Sequence, residues 1–333
     1  MVNKKELVRG LPKAELHVHL FGTLTEEVYN KVVERNEIRP AYDIFGLKFT
    51  DLPNFIKAYD AGVSVFKTEE DFYDITRAYL LKSISENVTY LELIVDPQSH
   101  ELFGVNIDTM MKGIMKAIEE YKSLISVELI LCFVRHLGAE DAKRLLLKSY
   151  GYIHMFKAVG LGGVEKDYPA FDFTNVFRRA YGLGLKLTAH CGETGNAESI
   201  KDSILYLNLD RVDHACSMYK DPQLAEYIRY RSIPVTCCPV SNIKIGIFKK
   251  MKNHPIKKYL DFGIIASINS DDPSYFGASL VDNYMEVIEA FDLSDGDILK
   301  LVLNSFKGSF LPASTKEYWK QRVLEKYKLY TSR

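Results

Sequence analysis

Short runs of apolar, often β-branched residues recur along the chain, and helix-length amphipathic stretches separate them. This pattern is typical of strands that alternate with helices. Several runs are almost continuously apolar, for example VELILCFV at 127–134, as expected for strands covered on both faces in a parallel sheet. The eight predicted strands are Ala14–His19, Tyr90–Val95, Val127–Val134, Met155–Gly160, Leu185–His190, Arg211–Asp213, Val235–Cys238 and Ile264–Asn269. They predict an α/β fold, a closed (β/α)8 TIM barrel.

A long insertion separates the first two predicted strands. It covers about residues 25–85 and includes FTDLPNFIKAYDAGVSVFKTEEDFYDITRAYLL, which has the apolar periodicity of helices. Because an insertion at the C-terminal end of a barrel strand covers the barrel mouth, we expect additional helices to form a lid there, within a single domain of residues 1–333. Its aromatic residues either shelter a planar ligand or pack as ordinary helix core: Phe45, Phe49, Phe55, Tyr59 and Phe66.

The composition indicates a globular protein with a large core. Of 333 residues, 47% are apolar and 26% are charged, and 43 basic residues nearly balance 44 acidic ones. This balance argues against a nucleic-acid surface and favours a small-molecule partner. The sequence contains no signal-peptide-like stretch and no apolar run of membrane-spanning length, which predicts a cytoplasmic protein without membrane contact. The oligomeric state is left open.

Cysteine and glycine spacing disfavours two further classes of protein. The five cysteines form no CxxC pair and are odd in number, which favours reduced, buried thiols over a disulfide framework or a Cys-rich zinc site. No glycine-rich phosphate loop follows any predicted strand, so a nucleotide-cofactor fold is disfavoured.

Two histidines lie one residue apart near the start of the chain, in ELHVH at 15–19. Successive side chains of a strand point to opposite faces, so His17 and His19 share one face with Glu15. A lone histidine is more often a hydrogen-bonded core residue, whereas two on one face at a strand end favour a metal site. Glu15 lies one layer deeper, where it either supports a ligand histidine or forms a structural pair.

Further polar residues follow later apolar runs. His190 ends LKLTAH, His214 follows RVD, and Asp271 with Asp272 follows IIASINS. The C-terminal ends of barrel strands form the active-site rim, so these side chains are expected to converge with the histidine pair. Each one alone is also compatible with turn or capping chemistry. Three histidines and one carboxylate suit a catalytic zinc ion, which retains a water, better than a structural zinc ion, which is usually closed by cysteines.

Four motifs carry a resemblance to a known family. PKAELHVHL, TAHCGET, RVDH and SINSDDP, in this order and spacing, resemble the adenosine/adenine deaminase family, which are metal-dependent purine deaminases of the amidohydrolase superfamily. VDPQSH, CFVRHL, CCPVSNIKI and NSFKGSFLP are similar to its adenine deaminase-type branch. The resemblance spans nearly the whole chain. It implies zinc-dependent hydrolytic deamination of a 6-aminopurine, with adenine converted to hypoxanthine and ammonia as the favoured reaction.

The resemblance also implies roles for individual residues. One zinc ion per chain is held by four ligands: His17, His19, His190 and Asp271. Glu193 donates a proton to purine N1, and burial near Asp271 is expected to raise its pKa. His214 is the partner of the zinc-bound water, and either His214 or Asp271 takes the water's proton. On the substrate side, Asp272 binds N7, the backbone of Gly163 donates to N3, and His19 also belongs to the substrate-binding set.

One departure from the family pattern bears on the substrate. Phe21 stands where relatives carry an acidic residue, which in adenosine deaminases meets the ribose 5′-hydroxyl. Loss of that carboxylate predicts weaker selection for ribose and makes Phe21 an apolar wall of the substrate site. Adenine is therefore favoured, with adenosine and N6- or N9-substituted adenines as alternatives. Cys191 and Ala215 stand where relatives carry alanine and glycine, and neither change removes a functional group.

Two other hypotheses use the same barrel. A hydrolase with two metals would bridge them with a modified lysine, and Lys157 lies on the fourth predicted strand. Such an enzyme would hold about two metals per chain, whereas the deaminase would hold about one. A non-catalytic barrel that serves only for binding would lack a metal ligand or the acid, and none of these residues is missing from the motifs.

Overall fold

The computed structural model describes residues 3–38 and 44–332. Its centre is an eight-stranded sheet in which each strand pairs in parallel with the next along the chain. The strands are β1 (Lys13–His19), β2 (Val88–Val95), β3 (Ser126–Val134), β4 (Phe156–Gly162), β5 (Lys186–Cys191), β6 (Arg211–His214), β7 (Val235–Cys237) and β8 (Ala266–Ile268). Every predicted strand is present, which confirms the (β/α)8 barrel.

Helices surround this sheet. The α-helices of the described residues are α1 (Lys4–Gly10), α2 (Glu26–Asn36), α3 (Leu52–Val63), α4 (Glu69–Ser85), α5 (Pro97–Glu101), α6 (Ile107–Tyr121), α7 (Ala139–Lys148), α8 (Thr174–Gly182), α9 (Ala197–Leu207), α10 (Pro222–Tyr230), α11 (Pro239–Lys244), α12 (Ile256–Phe262), α13 (Pro273–Phe276), α14 (Leu280–Phe291), α15 (Asp295–Lys307) and α16 (Ala313–Thr331). Short 3₁₀ segments lie at Phe21–Thr23, Arg135–Leu137, Ser149–Met155, Ala170–Phe173, Met218–Lys220 and Met251–Asn253. No helix within the described ranges combines the length and the apolar character needed to cross a membrane.

Hydrogen bonds between β1 and the segment after β8 close the barrel. His19 N donates to Asp271 O at 2.9 Å, and Asp271 N donates to His17 O at 3.1 Å. The side-chain oxygen of Asn269 accepts a bond from Leu16 N at 2.8 Å. This closure places Asp271 beside the two histidines of β1, although it is far from them in sequence.

The insertion between β1 and β2 contains α2, α3 and α4, and residues 39–43 of the predicted lid lie outside the described residues. Asp51 and Thr68 cap α3 and α4, which explains where these helices begin. Helix α3 reaches the barrel mouth, where Phe55 and Tyr59 line the central cavity. The other three of the five aromatic residues named above pack against other rings: Phe45, Phe49 and Phe66. Two of the five aromatic residues therefore line the cavity, as expected for shelter of a ligand, and the other three pack as ordinary core.

A continuous cluster of buried apolar side chains extends from Leu7 to Val323 and joins the strands to the surrounding helices. A smaller buried cluster includes Ile94 of β2, Ile130 of β3 and Phe310. The five cysteines are buried and free, as the sequence predicts.

Candidate active site

The two histidines of β1 meet later side chains at the mouth of the barrel. His17 Nε2 lies 3.2 Å from Asp271 Oδ1, and His19 Nε2 lies 3.6 Å from the same oxygen. His19 Nε2 also lies 3.1 Å from His190 Nε2. β1, β5 and the segment after β8 thus bring together all four residues that the sequence analysis assigns as metal ligands.

The donor set of this cluster fits a divalent metal ion. One nitrogen each of His17, His190 and His214 and one oxygen of Asp271 all lie within 4.8 Å of one another. His17 Nε2, His190 Nδ1 and His214 Nε2 are buried and lack a well-aligned hydrogen bond. A buried ring nitrogen without a well-aligned hydrogen bond costs free energy unless a ligand satisfies it. Imidazole nitrogens with one carboxylate oxygen are ligands that zinc accepts.

The cluster offers six donor residues rather than four. His19 forms a second group with Asp271 and Asp272, again with the ligand atoms within 4.8 Å of one another. His214 Nε2 lies 4.0 Å from Asp271 Oδ2. The division of roles, with His19 as a metal ligand and His214 beside the water, therefore stays a prediction.

Burial keeps three of these imidazoles neutral, which is the form that binds a metal. Burial lowers the pKa of both His19 and His214 to about 4, and it holds the pKa of His190 well below the ordinary value. His17 differs from them. Burial also disfavours its charge, but the nearby carboxylates of Asp213 and Asp271 outweigh this effect and raise the pKa of His17 to about 10.

Asp213, which the sequence analysis did not assign, supports His17 from inside the barrel. Its Oδ1 lies 3.4 Å from His17 Nδ1 and accepts a hydrogen bond from Thr236 Oγ1 at 2.7 Å. Its Oδ2 accepts a bond from Thr188 Oγ1 at 2.6 Å. Burial favours the neutral acid, but the charge of His17, reinforced by Arg211, holds the pKa of Asp213 well below its usual range. Such a carboxylate fixes the orientation of a metal-binding imidazole.

Glu193 follows β5 and is 6% exposed, with its carboxyl group facing the cavity. Its Oε1 accepts a hydrogen bond from Asn242 Nδ2 at 3.3 Å and lies 3.5 Å from His214 Nδ1. Burial raises the pKa of Glu193 well above its ordinary value, and the charge of Asp271 raises it further. The direction predicted from the sequence is confirmed, and the side chain is held in the protonated form that can act as an acid.

A cavity of about 100 Å³ opens above the cluster. Apolar side chains of α3 and α13, including Phe55 and Phe276, form part of its wall. Seven of the residues predicted for the site line it: His19, Gly163, His190, Glu193, His214, Asp271 and Asp272. His17 lies beneath them and is fully buried.

Phe21 does not line this cavity, which corrects the expectation that it forms a wall of the substrate site. β1 ends at His19, and the chain turns into the 3₁₀ segment at Phe21–Thr23, so the alternation of the strand does not continue. The ring of Phe21 is fully buried and packs against His100, with the ring centroids 4.0 Å apart, and against Phe66 and Phe72.

Asp272 and Gly163 face the cavity from two sides. Asp272 Oδ1 is buried without a hydrogen-bond partner, and burial followed by the charge of Asp271 raises the pKa of Asp272 well above its ordinary value. A Cβ atom at Gly22 would lie 2.1 Å from Asp272 Oδ1, so only glycine allows this approach. Gly163 has φ of +93°, and a Cβ there would lie 2.9 Å from His136 Nδ1.

Three residues of the rim adopt left-handed backbone conformations. φ is +65° at His214, +51° at Ala215 and +66° at Asp271. Non-glycine residues in this region carry strain, which tertiary contacts must outweigh. Ala215 stands where the family pattern has glycine, and its positive φ gives the physical reason for that preference.

Two residues from the alternative hypotheses lie away from the cluster. Lys157 is the second residue of β4, at the amino end of the strand, and so it is at the opposite end from the metal cluster. Glu15 accepts hydrogen bonds from Tyr79 Oη and Ser270 Oγ, each at 2.5 Å. It forms a structural pair rather than supporting a ligand histidine.

Sequence reasoning missed Asp213 and Asn242. A carboxylate inside a predicted barrel strand, Asp213 of the RVDH stretch, was a usable signal, since buried carboxylates need partners. Asn242 follows β7 on α11 and lies within the CCPVSNIKI stretch, but the resemblance of that stretch gave no role to this residue.

Three comparisons relate this chain to known proteins. The sequence model of a family described as adenosine deaminase matches residues 12–326. A curated relative described as adenine deaminase, from Cupriavidus necator, is 40% identical over 318 residues, which cover 93% of this chain and 91% of the relative. The crystal structure of an adenine deaminase from Arthrobacter aurescens matches with a TM-score of 0.92 and 31% identity over 96% of this chain and 99% of that one. An amidohydrolase from Burkholderia ambifaria with bound Zn shares the fold, with a TM-score of 0.87 and 20% identity over 98% of this chain and 93% of that one.

Proposed function

The chain belongs to the adenosine deaminase family, and we propose that it hydrolyses adenine to hypoxanthine and ammonia. It is a metal-dependent purine deaminase. The observation that carries the substrate class is the placement of Glu193 and Asp272, two buried carboxyl groups with raised pKa values, on the cavity beside the histidine cluster. Two protonated carboxyl groups can donate to the ring nitrogens of a 6-aminopurine.

We propose zinc as the metal, with one ion per chain held by His17, His19, His190 and Asp271. The short distances among these side chains, and the ring nitrogens of the cluster that lack a well-aligned hydrogen bond, support this choice. The donor types also match those of catalytic zinc sites. When bound, zinc lowers the pKa of a water toward about 7 and so makes hydroxide available at neutral pH.

Glu193 supplies the proton that the reaction needs at purine N1. Attack of the nucleophilic water at C6 forms a carbon–oxygen bond and moves electron density onto N1, so an acid placed there stabilises the developing charge. Asn242 holds Glu193 Oε1 at 3.3 Å, which orients the carboxyl group. The proton stays on N1 in hypoxanthine, and the hydroxyl proton of the tetrahedral carbon later restores the acid.

His214 is placed to accept a proton from the attacking water. One of its nitrogens lies 3.5 Å from Glu193 Oε1, and the other lies 4.0 Å from Asp271 Oδ2. Its pKa of about 4, lowered by burial, keeps the imidazole neutral and able to accept a proton. That proton then passes to the 6-amino group, which leaves as ammonia when the carbon–nitrogen bond breaks. Asp271 is the alternative acceptor.

Asp272 and Gly163 orient the ring in this proposal. Asp272, protonated because of burial, donates to N7, and the backbone N–H of Gly163 donates to N3. The residues that line the cavity in the described part of the chain include Asp60 and Asp96 but no lysine or arginine. A phosphate group would therefore meet no cation there, which favours a free base over a nucleotide.

The test is to incubate the purified zinc-loaded protein with adenine, adenosine, AMP and N6-substituted adenines, following ultraviolet absorbance and ammonia release. We expect adenine to have the highest kcat/KM and AMP the lowest. Metal-stripped protein is the control, and added zinc should restore its turnover. If adenosine is turned over faster than adenine, the substrate is wrong; if zinc-loaded protein deaminates none of them, the proposed function is wrong.

A further inference from the structure

Glu165 lies in the loop after β4 and binds the loop after β5 through four consecutive backbone N–H groups. Its Oε2 accepts from Gly192 N at 2.8 Å. Its Oε1 accepts from Glu193 N at 2.9 Å, from Thr194 N at 2.9 Å and from Gly195 N at 3.2 Å. Consecutive backbone N–H groups that point at one anion form a nest, and here the anion is a side chain of the protein itself.

The sequence of the β5 loop is adapted to this carboxylate. A Cβ atom at Gly195 would lie 2.9 Å from Glu165 Oε2 and 2.7 Å from Ser199 Oγ, so a larger residue would displace the carboxylate. Gly192 has φ of +65°, which glycine adopts without strain. Both glycines of the CGETG stretch thus permit the loop to wrap around Glu165.

Glu165 is not needed as a cap for the helix that follows the loop. The side chain of Asn196 already caps α9 by accepting a bond from Ser199 N at 3.1 Å. The backbone N–H groups that donate to Glu165 precede α9 and belong to Glu193 and its neighbours. Glu165 Oε2 also accepts a bond from Ser199 Oγ on the first turn of α9 at 3.0 Å, so the carboxylate holds the loop that carries the acid and fastens it to the start of this helix.

We propose that Glu165 is a positioning residue that sets the distance between Glu193 and Gly163. Gly163 precedes Glu165 by two residues on the β4 loop, and Glu193 lies on the β5 loop that Glu165 holds. One side chain thus joins the two groups proposed to contact N3 and N1, the two ring nitrogens on either side of C2. This inference rests on the proposed function of the site.

Positioning of this kind should matter most in the transition state. The proton moves from Glu193 to N1 only as the tetrahedral centre forms, so misplacement of the acid lowers kcat more than it raises KM. A displacement of about 1 Å in such a group can reduce turnover by about a hundredfold. Loss of the anchor would therefore act on the rate, with the metal cluster left in place.

The test compares Glu165→Gln and Glu165→Ala with wild-type, zinc-loaded enzyme on adenine. The glutamine keeps one oxygen for the three N–H groups around Glu193 but places an amide donor against Gly192 N. We expect kcat to fall about tenfold for glutamine and about a hundredfold for alanine, with KM changed less than about threefold. Zinc content and melting temperature should stay close to wild type. Asp167→Asn, an exposed change in the same loop, is the matched control with unchanged kinetics.

Two outcomes would overturn the proposal. One is a kcat within twofold of wild type for the alanine variant. The other is a parallel loss of kcat, zinc content and thermal stability, which would show a purely structural role. If the wild type does not deaminate adenine at all, the proposed function fails, and amide hydrogen exchange of residues 192–195 then tests the anchor alone. Exchange should be at least tenfold faster in the alanine variant, and unchanged exchange would reject the anchor.

Discussion

The ring of Phe21 packs edge-on against the imidazole of His100, with the two centroids 4.0 Å apart, and neither nitrogen of His100 has a hydrogen-bond partner. Phe66 and Phe72 complete this aromatic cluster. Position 21 therefore acts on the packing behind the barrel mouth rather than on the cavity wall.

Replacing Phe21 by leucine should lower stability without changing substrate choice. The ring is fully buried, so its truncation should cost about 1–2 kcal/mol in the free energy of unfolding. The ratio of kcat/KM for adenine to that for adenosine should change by less than about twofold, because Phe21 does not line the cavity. Phe55→Leu is the matched control, since Phe55 does line it. A large change in this kcat/KM ratio for the Phe21 variant would show that Phe21 does belong to the substrate site.

His100 should make stability depend on pH. Burial lowers the pKa of His100 to about 3, and the positive charge of Lys67 contributes to this shift. Between about pH 6.5 and pH 3 the unfolded chain therefore binds a proton that the folded protein excludes, and stability falls as pH falls, by up to about 1.4 kcal/mol per pH unit.

The measurement for His100 is denaturant unfolding of wild type and His100→Leu at pH 7, 6 and 5. The variant should lose less stability than wild type across this window. His154→Gln, at an exposed histidine, is the control and should follow wild type. Equal slopes for all three proteins would contradict the prediction.

Glu193→Gln should abolish turnover while leaving the metal bound. The amide keeps the shape of the side chain but cannot protonate N1, so kcat should fall about 10²- to 10⁴-fold. Zinc content, measured by elemental analysis, should stay near that of wild type. Glu198→Gln on α9, which changes an exposed carboxylate, should have no effect. Near-wild-type turnover in the Glu193 variant would rule out its role as the acid.

Asp213→Asn should weaken metal binding. Asp213 Oδ1 lies 3.4 Å from His17 Nδ1, and loss of its charge removes the partner that orients this imidazole. Affinity for zinc, measured by competition with a chelator, should fall about 10- to 100-fold. The exposed Asp261→Asn is the control. Unchanged affinity would show that Asp213 serves the core ion pair with Arg211 and not the metal site.

Asp272 should be the residue that distinguishes adenine from 7-deazaadenine, which lacks the N7 acceptor. Wild type should prefer adenine by about ten- to hundredfold in kcat/KM, the value of one buried hydrogen bond. In Asp272→Ala this preference should disappear, because adenine activity falls while 7-deazaadenine activity changes little. A preference for adenine that persists in Asp272→Ala would show that Asp272 is not the residue that binds N7.

Much of the site could be predicted from short, local stretches of the sequence. The period-two spacing of His17 and His19 fixes their common face, and the polar residues that end later apolar runs fall at the C-terminal ends of parallel strands. The role that the family resemblance implies for Glu193 predicted that burial near Asp271 raises its pKa, and the structure confirms that direction.

Other features needed the tertiary structure, because they depend on where the chain turns and what packs there. Strand alternation ends at His19, so no sequence pattern shows that Phe21 turns toward His100. Asp213 meets His17 only because β6 and β1 face one interior, and Glu165 meets the Glu193 loop only because β4 and β5 are neighbours. The sequence determined which side chains can supply the chemistry, since residue type and local periodicity are properties of the chain. The fold decided which of them touch, since contacts between distant residues arise only when the barrel closes.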